Sequence, residues 1–225
     1  VSVINADCPN CGAAVRFRSA DLPVRVCDYC RSSLVRSGEV LQAMGKIAEV
    51  PADVSPLQIG TRGMWTETPF ELIGRVRWRW ADGGWNEWLM LFADGSTGWL
   101  GEAMGRYMAL RALDHAAGRT GVVRALRDDS PIALGMDATI DRVRYIVTDI
   151  KQATCVASEG ELPFSAPAGL AMKSLDLQAS DGRCASVQKD RGQVSVYVGA
   201  FVDLAGLRAT NMRAFEDWPM PNFAA

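Results

Sequence analysis

Phe70-Glu71-Leu72-Ile73-Gly74-Arg75-Val76-Arg77-Trp78-Arg79-Trp80 decides the fold class. Phe70, Leu72, Gly74, Val76, Trp78 and Trp80 fall on one face of an extended chain. Glu71, Ile73, Arg75, Arg77 and Arg79 fall on the other. A period of two belongs to a half-buried β-strand. Asp82-Gly83-Gly84 follows as a hairpin turn signal. Trp85 to Phe92 then reads as the return strand, Asp94-Gly95 as the next turn and Thr97 to Leu100 as a further short strand. Six of the seven tryptophans lie within 59–108.

Downstream, Arg142 to Ile150 alternates again, and Ser174 to Gln178, Cys184 to Gln188 and Val194 to Phe201 read as strands. Two blocks follow one plan. Ile59-Gly60, the strand from Phe70 and Leu89 to Gly95 match Leu134-Gly135, the strand from Arg144 and Leu175 to Gly182. In each, a Leu-x-Leu strand leads into an Asp-Gly turn. The expected fold is mainly β: two small SH3-like antiparallel barrels, duplicated or not, behind an N-terminal zinc ribbon. The expected divisions are a ribbon at 1–40, a Trp-rich module at 41–113, a second module at 130–213 and a loose tail at 214–225. Between the modules, Met108 to Ala117 is expected to form a short helix, ended by Gly118 and Gly121.

The ribbon rests on Cys8-Pro9-Asn10-Cys11-Gly12 and Cys27-Asp28-Tyr29-Cys30. Two residues between thiolates let one tight turn present both sulfurs to one metal, and two such pairs at this separation have zinc spacing. Gly12 suits the left-handed backbone behind the second ligand. Four thiolates close the coordination sphere, which implies one structural zinc rather than a catalytic one. The same ligands could also hold iron, free thiols or two disulfides.

The chain has 225 residues, 48% of them apolar and 22% charged, with a net charge of −2. Those are globular values, without the basic excess of a dedicated nucleic-acid binder. No stretch has signal-peptide order and no apolar run spans a membrane, so a reducing, cytoplasmic setting is expected.

Each remaining motif has a bland reading beside a functional one. Cys155 and Cys184 lie in strand-like surroundings and are expected to be core. Arg75, Arg77 and Arg79 interleave with tryptophans, which suits either a solvated strand face or a nucleic-acid strand. Trp85, Trp88 and Trp99 suit either a small core or a peptide-binding groove, with Trp78 and Trp80 buried and Trp85 and Trp88 more exposed. Glu159-Gly160-Glu161-Leu162-Pro163-Phe164 reads as a polar loop, a plain turn or a carboxylate pair for acid–base work. His115, the single histidine, falls in the irregular linker. Phosphate-loop, dinucleotide and serine-hydrolase signatures are absent from the sequence.

Taken together, these residues resemble a bacterial family catalogued only as a domain of unknown function, numbered 4178. Its carriers are Gly60, Phe70 to Arg75, Trp85 to Trp88, Leu91-Phe92, Asp94-Gly95, Gly98 to Leu100 with Glu102, and Glu159 to Pro163; the leading cysteines also look like that family. The resemblance implies a soluble bacterial protein working beside stress-response or membrane-associated partners, and it supplies no reaction. The leading expectation is a non-enzymatic zinc-ribbon adaptor that binds a protein partner through Trp85, Trp88, Trp99, Glu159 and Glu161. The alternative is a nucleic-acid-binding accessory protein using the ribbon and Arg75/Arg77/Arg79. An enzyme built on Glu159/Glu161 is the third reading.

Overall fold

The computed structural model describes residues 3–38, 40–113, 121–216, 221 and 223. The fold is mainly β, as expected. β1 (Ile4–Asp7) and β2 (Ala14–Phe17) form a hairpin, and β3 (Val24–Val26), β4 (Ser32–Ser37) and β5 (Val40–Lys46) form a meander. Then come β6 (Arg62–Trp65), β7 (Thr68–Trp80), β8 (Gly83–Phe92), β9 (Thr97–Ala103) and β10 (Arg106–Ala112). After helix α1 (Gly121–Arg127) follow β11 (Asp137–Ile140), β12 (Val143–Leu162), β13 (Ala171–Gln178), β14 (Arg183–Asp190) and β15 (Gln193–Val202).

The two β modules do not fold into separate SH3-like barrels. β7 to β10 form one four-stranded antiparallel meander and β12 to β15 another. β10 pairs β15, and β12 pairs β7. The sheet therefore closes as one eight-stranded barrel made of both halves. The physical reason lies in the edges. A lone four-stranded meander leaves two rows of backbone N–H and C=O groups unpaired, and each half satisfies the other's.

The two halves repeat in detail. Gly60 donates to Leu72 and Leu72 to Thr61; equivalently, Gly135 donates to Val147 and Val147 to Met136. The hairpin turns Thr66-Glu67 and Asp141-Arg142 both carry positive φ at two successive residues. The ladder is bulged between Leu72 and Gly74 in β7 and between Val147 and Asp149 in β12.

These bulges decide which side chains face inward. A bulge inserts one residue and flips the later part of a strand. Phe70 and Leu72 pack outside the barrel with Trp88, Met90 and Phe92, while Ile73, Val76 and Trp78 pack inside with Leu89 and Trp99. The single alternating face expected from Phe70 to Trp80 is thus split at Ile73.

Each outer face is covered. Leu57 and Leu207 lie over the first half, and Val122, Val123 and Leu126 of α1 over the second. The helix expected at Met108–Ala117 is β10 over its first part, because Tyr107 and Ala109 face outward while Met108 and Leu110 face the lumen. Residues 114–120, including His115, lie outside the described residues, as does part of the expected tail. No helix among the described residues is long and apolar enough to cross a membrane.

β12 is the long strand that ties the molecule together. Past its pairing with β7 it pairs with β3 through Glu161↔Arg25 and Leu162↔Val24. Leu22 and Val24 of the ribbon join Leu162 and Ala166 in the same core cluster as the barrel lumen. The ribbon stoppers one end of the barrel.

Candidate functional site

Two sites are built by this fold. The first lies in the ribbon, where two turns of the same shape face each other. Cys8 N–H bonds to Ala13 O and Gly12 N–H to Cys8 O, both at 2.8 Å. Cys27 N–H bonds to Ser32 O at 2.8 Å and Arg31 N–H to Cys27 O at 3.0 Å. Gly12 (φ 74°) and Arg31 (φ 61°) occupy equivalent left-handed positions behind the second cysteine of each pair. The result gathers all four sulfurs within 4.8 Å of one another, with Cys8–Cys30 at 3.7 Å and Cys11–Cys27 at 3.9 Å. A tetrahedral ion held at about 2.3 Å by thiolates sets them about 3.8 Å apart. The donor set fits one metal ion. Within the thiol cluster the Asn10 amide first, then Ser32, pull the Cys30 thiol down to about 5. Cys11, against the pull of the Ala13 N–H, is pushed up to about 12 by burial and its neighbouring thiols. The support for a metal is therefore the geometry of the four sulfurs.

Glu161 joins this centre to the barrel. Its carboxylate is fully buried and accepts the Arg18 N–H at 2.8 Å, the Ser19 N–H at 3.1 Å and Arg25 Nη1 at 2.9 Å. Arg31 Nη2 reaches the Ser158 carbonyl at 3.0 Å. Glu159 is directed to Arg75 at 3.4 Å. The segment expected as a polar loop is the end of β12. Its two carboxylates diverge into different ion pairs, so the structure does not bring Glu159 and Glu161 together.

Of the expected arginine stripe, Arg75 is spent inside the molecule, Arg77 is half-buried and reaches Asp53, and Arg79 is exposed. Arg75 is 3% exposed. It pairs with Asp53, donates to Asn86 Oδ1 at 3.0 and 2.8 Å, and lies 4.6 Å over the Trp88 ring. Burial pushes the Asp53 carboxyl up, but the Asn86 amide and the Arg75 guanidinium together hold it below the usual carboxylate range. Trp88 faces outward from the barrel, as the alternation implies, yet it is fully covered and donates its indole N–H to Glu102 at 2.9 Å.

The second site is the barrel's lumen at the end away from the ribbon. A cavity of about 340 Å³ receives side chains from every barrel strand, among them Trp80, Trp85, Trp99 and Tyr197. Met104 and Phe201, both exposed, also line it, so it opens to solvent on that side. Trp85 and Trp99 of the expected aromatic set meet here; Trp88 does not.

At the cavity's base sits Glu87. It accepts the indole N–H groups of Trp78 at 2.9 Å and Trp85 at 3.2 Å, and the Gln188 amide at 2.8 Å. Burial pushes its carboxyl up, against the pull of these donors. Asp176 is a second interior carboxyl, also pushed up by burial. Sequence reasoning assigned neither as a site residue. The available signal was Glu87 itself, a carboxylate sharing its strand face with Trp85 and Leu89. Cys155 and Cys184 are buried in the same core, and burial pushes both thiols up to about 12, which leaves them protonated.

The family model described as "Domain of unknown function (DUF4178)" matches residues 58–204, about two thirds of the chain. The match covers both halves of the barrel and leaves out the cysteine ribbon. No curated protein and no solved structure matches the chain.

Proposed function

The chain belongs to the DUF4178 family, and on that premise we propose that it is a non-catalytic binding protein: a zinc-closed ribbon stoppers one end of the barrel, and the other end receives a ligand. The observation that carries this reading is the cavity of about 340 Å³ with tryptophans around an interior carboxylate. Ligand pockets are on the order of 300–1,000 Å³ and mostly apolar, with a few placed polar groups. A barrel built for stability alone would fill such a space, because an unfilled interior forfeits packing.

The ribbon metal is zinc in this reading, since four thiolates in a closed tetrahedron suit a structural zinc and leave no open position for catalysis. The adaptor role expected from the sequence moves to the barrel mouth. A protein partner meets Met104 and Phe201 there, with Trp85 and Trp99 behind them. Support for the nucleic-acid reading is weaker, because Arg75 is buried in internal pairs. Support for the enzyme reading is weaker too, because Glu161 is consumed by the ribbon contact.

Calorimetric titration with two small aromatic probes, benzyl alcohol and benzylamine, tests the lumen as a receptor. Saturable binding of either at one site per chain, lost when Ser186→Phe fills the lumen, is the expected result. A folded protein that binds neither overturns the reading.

A further inference from the structure

We infer that the barrel cavity is a site for a small organic cation, an ammonium group carried on an apolar body, with Glu87 and Asp176 as its counter-charges and Trp80 and Trp85 as its walls. This rests on the lumen being the receptor and adds the chemical class of what it receives.

The argument begins with unbalanced charge. Glu87 is 8% exposed, and its three hydrogen-bond donors, Trp78, Trp85 and Gln188, are all neutral. Neither Glu87 nor Asp176 forms an ion pair among the described residues. A buried carboxylate without a cation is costly, and a protein that keeps one either protonates it or supplies a counter-ion. Two such groups in one cavity repel each other; the Asp176 charge adds to the upward push on Glu87. A bound cation relieves both burdens at once.

The wall chemistry points the same way. Aromatic faces attract ammonium groups through the ring quadrupole. The molecule itself uses this wall so: Lys151 Nζ sits 5.0 Å from the Trp80 ring centroid. Lys151 is paired with Asp149, whose side chain is 46% exposed, and its charge also reaches Asp176, so Glu87 is the carboxyl left without a cation beside it. Trp80 and Trp85 lie 5.5 Å apart at 47°, and Trp78 stacks behind Trp85 at 6.2 Å. The one other cation lining the cavity, Arg106, is at the mouth and lies 4.8 Å over Phe201. The interior thus offers aromatic faces and negative charge, with Lys151 already paired to Asp149 and Arg106 at the mouth. Electrostatic complementarity then selects against anions, which would meet Glu87 and Asp176 unpaired.

The test compares benzylamine, benzyl alcohol and benzoate, which share a ring and differ in charge at neutral pH. Benzylamine should bind at least about tenfold more tightly than benzyl alcohol, with benzoate undetectable. Glu87→Gln should erase that preference. Asp176→Asn, which leaves the tryptophan contacts of Glu87 intact, should reduce it if Glu87→Gln fails to fold. Equal binding of benzylamine and benzyl alcohol, or a preference for benzoate, overturns the cation assignment and leaves the lumen as a receptor. Binding of none of the three overturns both. Preference for benzylamine that survives both substitutions also overturns the assignment of the counter-charges.

Discussion

Gly74 of β7 and Gly160 of β12 are paired residues at the seam where the barrel closes, and neither position has room for a methyl group. A Cβ on Gly74 would lie 1.8 Å from the Glu161 carbonyl oxygen. A Cβ on Gly160 would lie 2.2 Å from the Ile73 oxygen, and Gly160 also has φ +72°. The two strands cross here at backbone contact, just where β12 leaves the barrel for the ribbon. Gly74→Ala must therefore displace backbone rather than a side chain. It should cost about 3 kcal/mol or more, the upper range for overpacking, in a denaturant melt. A variant within 1 kcal/mol of the parent, a difference of about fivefold in the unfolding equilibrium, would contradict the close crossing.

On the proposed reading, the ribbon depends on a bound metal. Its own core is Cys8, Val15, Phe17, Cys27 and Leu34, too little to hold some forty residues without a staple. Elemental analysis should find about one zinc per chain, where two ions or iron would contradict the proposed centre. Cys27→Ser should release the ribbon, seen as new protease cleavage before residue 48, while the barrel keeps its melt. Glu161→Ala should loosen the same segment with zinc still bound, because the Arg18 and Ser19 N–H groups lose their acceptor. Zinc loss in Glu161→Ala would show that docking and metal binding are one event.

What was legible in the sequence was local. The cysteines announce themselves because two residues between ligands is a geometric demand of one turn. Asp94-Gly95 and Asp181-Gly182 announce hairpins through left-handed glycines, and Asp82-Gly83 marks a hairpin without one. The repeat was visible for the same reason, since Gly60 and Gly135 hold equivalent positive-φ positions. Barrel closure was not legible. The pairings of β7 with β12 and of β10 with β15 join residues far apart in sequence, and nothing in either strand alone names its partner. The bulge at Ile73 also hid the lumen, since one extra residue sends Leu72 outside and Val76 inside. Glu159-Gly160-Glu161 looked like a loop because glycine and paired charges usually mark one. Here the glycine serves the strand crossing, and the charges face different partners.

Arg75 separates structure from nucleic-acid binding. Asp53 and Asn86 both contact its guanidinium, and Glu102 adjoins the same network through Asn86 at 2.9 Å. Removing one partner of a buried pair typically costs 3–5 kcal/mol, because the other charge is stranded. Arg75→Ala should lose about that much, whereas Arg79→Ala, on an exposed position, should stay within about 0.5 kcal/mol. Gel shifts at physiological salt should show no binding for either the parent or Arg79→Ala. A submicromolar shift abolished by Arg79→Ala would instead revive the nucleic-acid reading.

Glu87 makes stability depend on pH in a direction that can be stated. Its folded-state value is raised by burial, above the unfolded value of about 4.3. Between those two values the folded protein keeps a proton that the unfolded chain has released. The stability this group contributes is fully present below the unfolded value and is lost as pH rises through the folded one. Glu87→Gln cannot ionise. It keeps an acceptor for one of the two indoles, which donate to different oxygens of Glu87, and the loss of the other is the same at every pH. Relative to the parent, the variant should therefore gain stability as pH rises from about 4 to about 7. Glu161 and Asp176 are raised as well, but both proteins carry them, so the difference between the two melts reports Glu87 together with the Asp176 charge coupled to it. Urea melts of parent and variant at the two ends of that range measure it. A difference that is the same at both ends, or larger in favour of the parent near neutrality, would mean that Glu87 is ionised and compensated in the ligand-free barrel. The counter-charge assigned to it would then already be met from within.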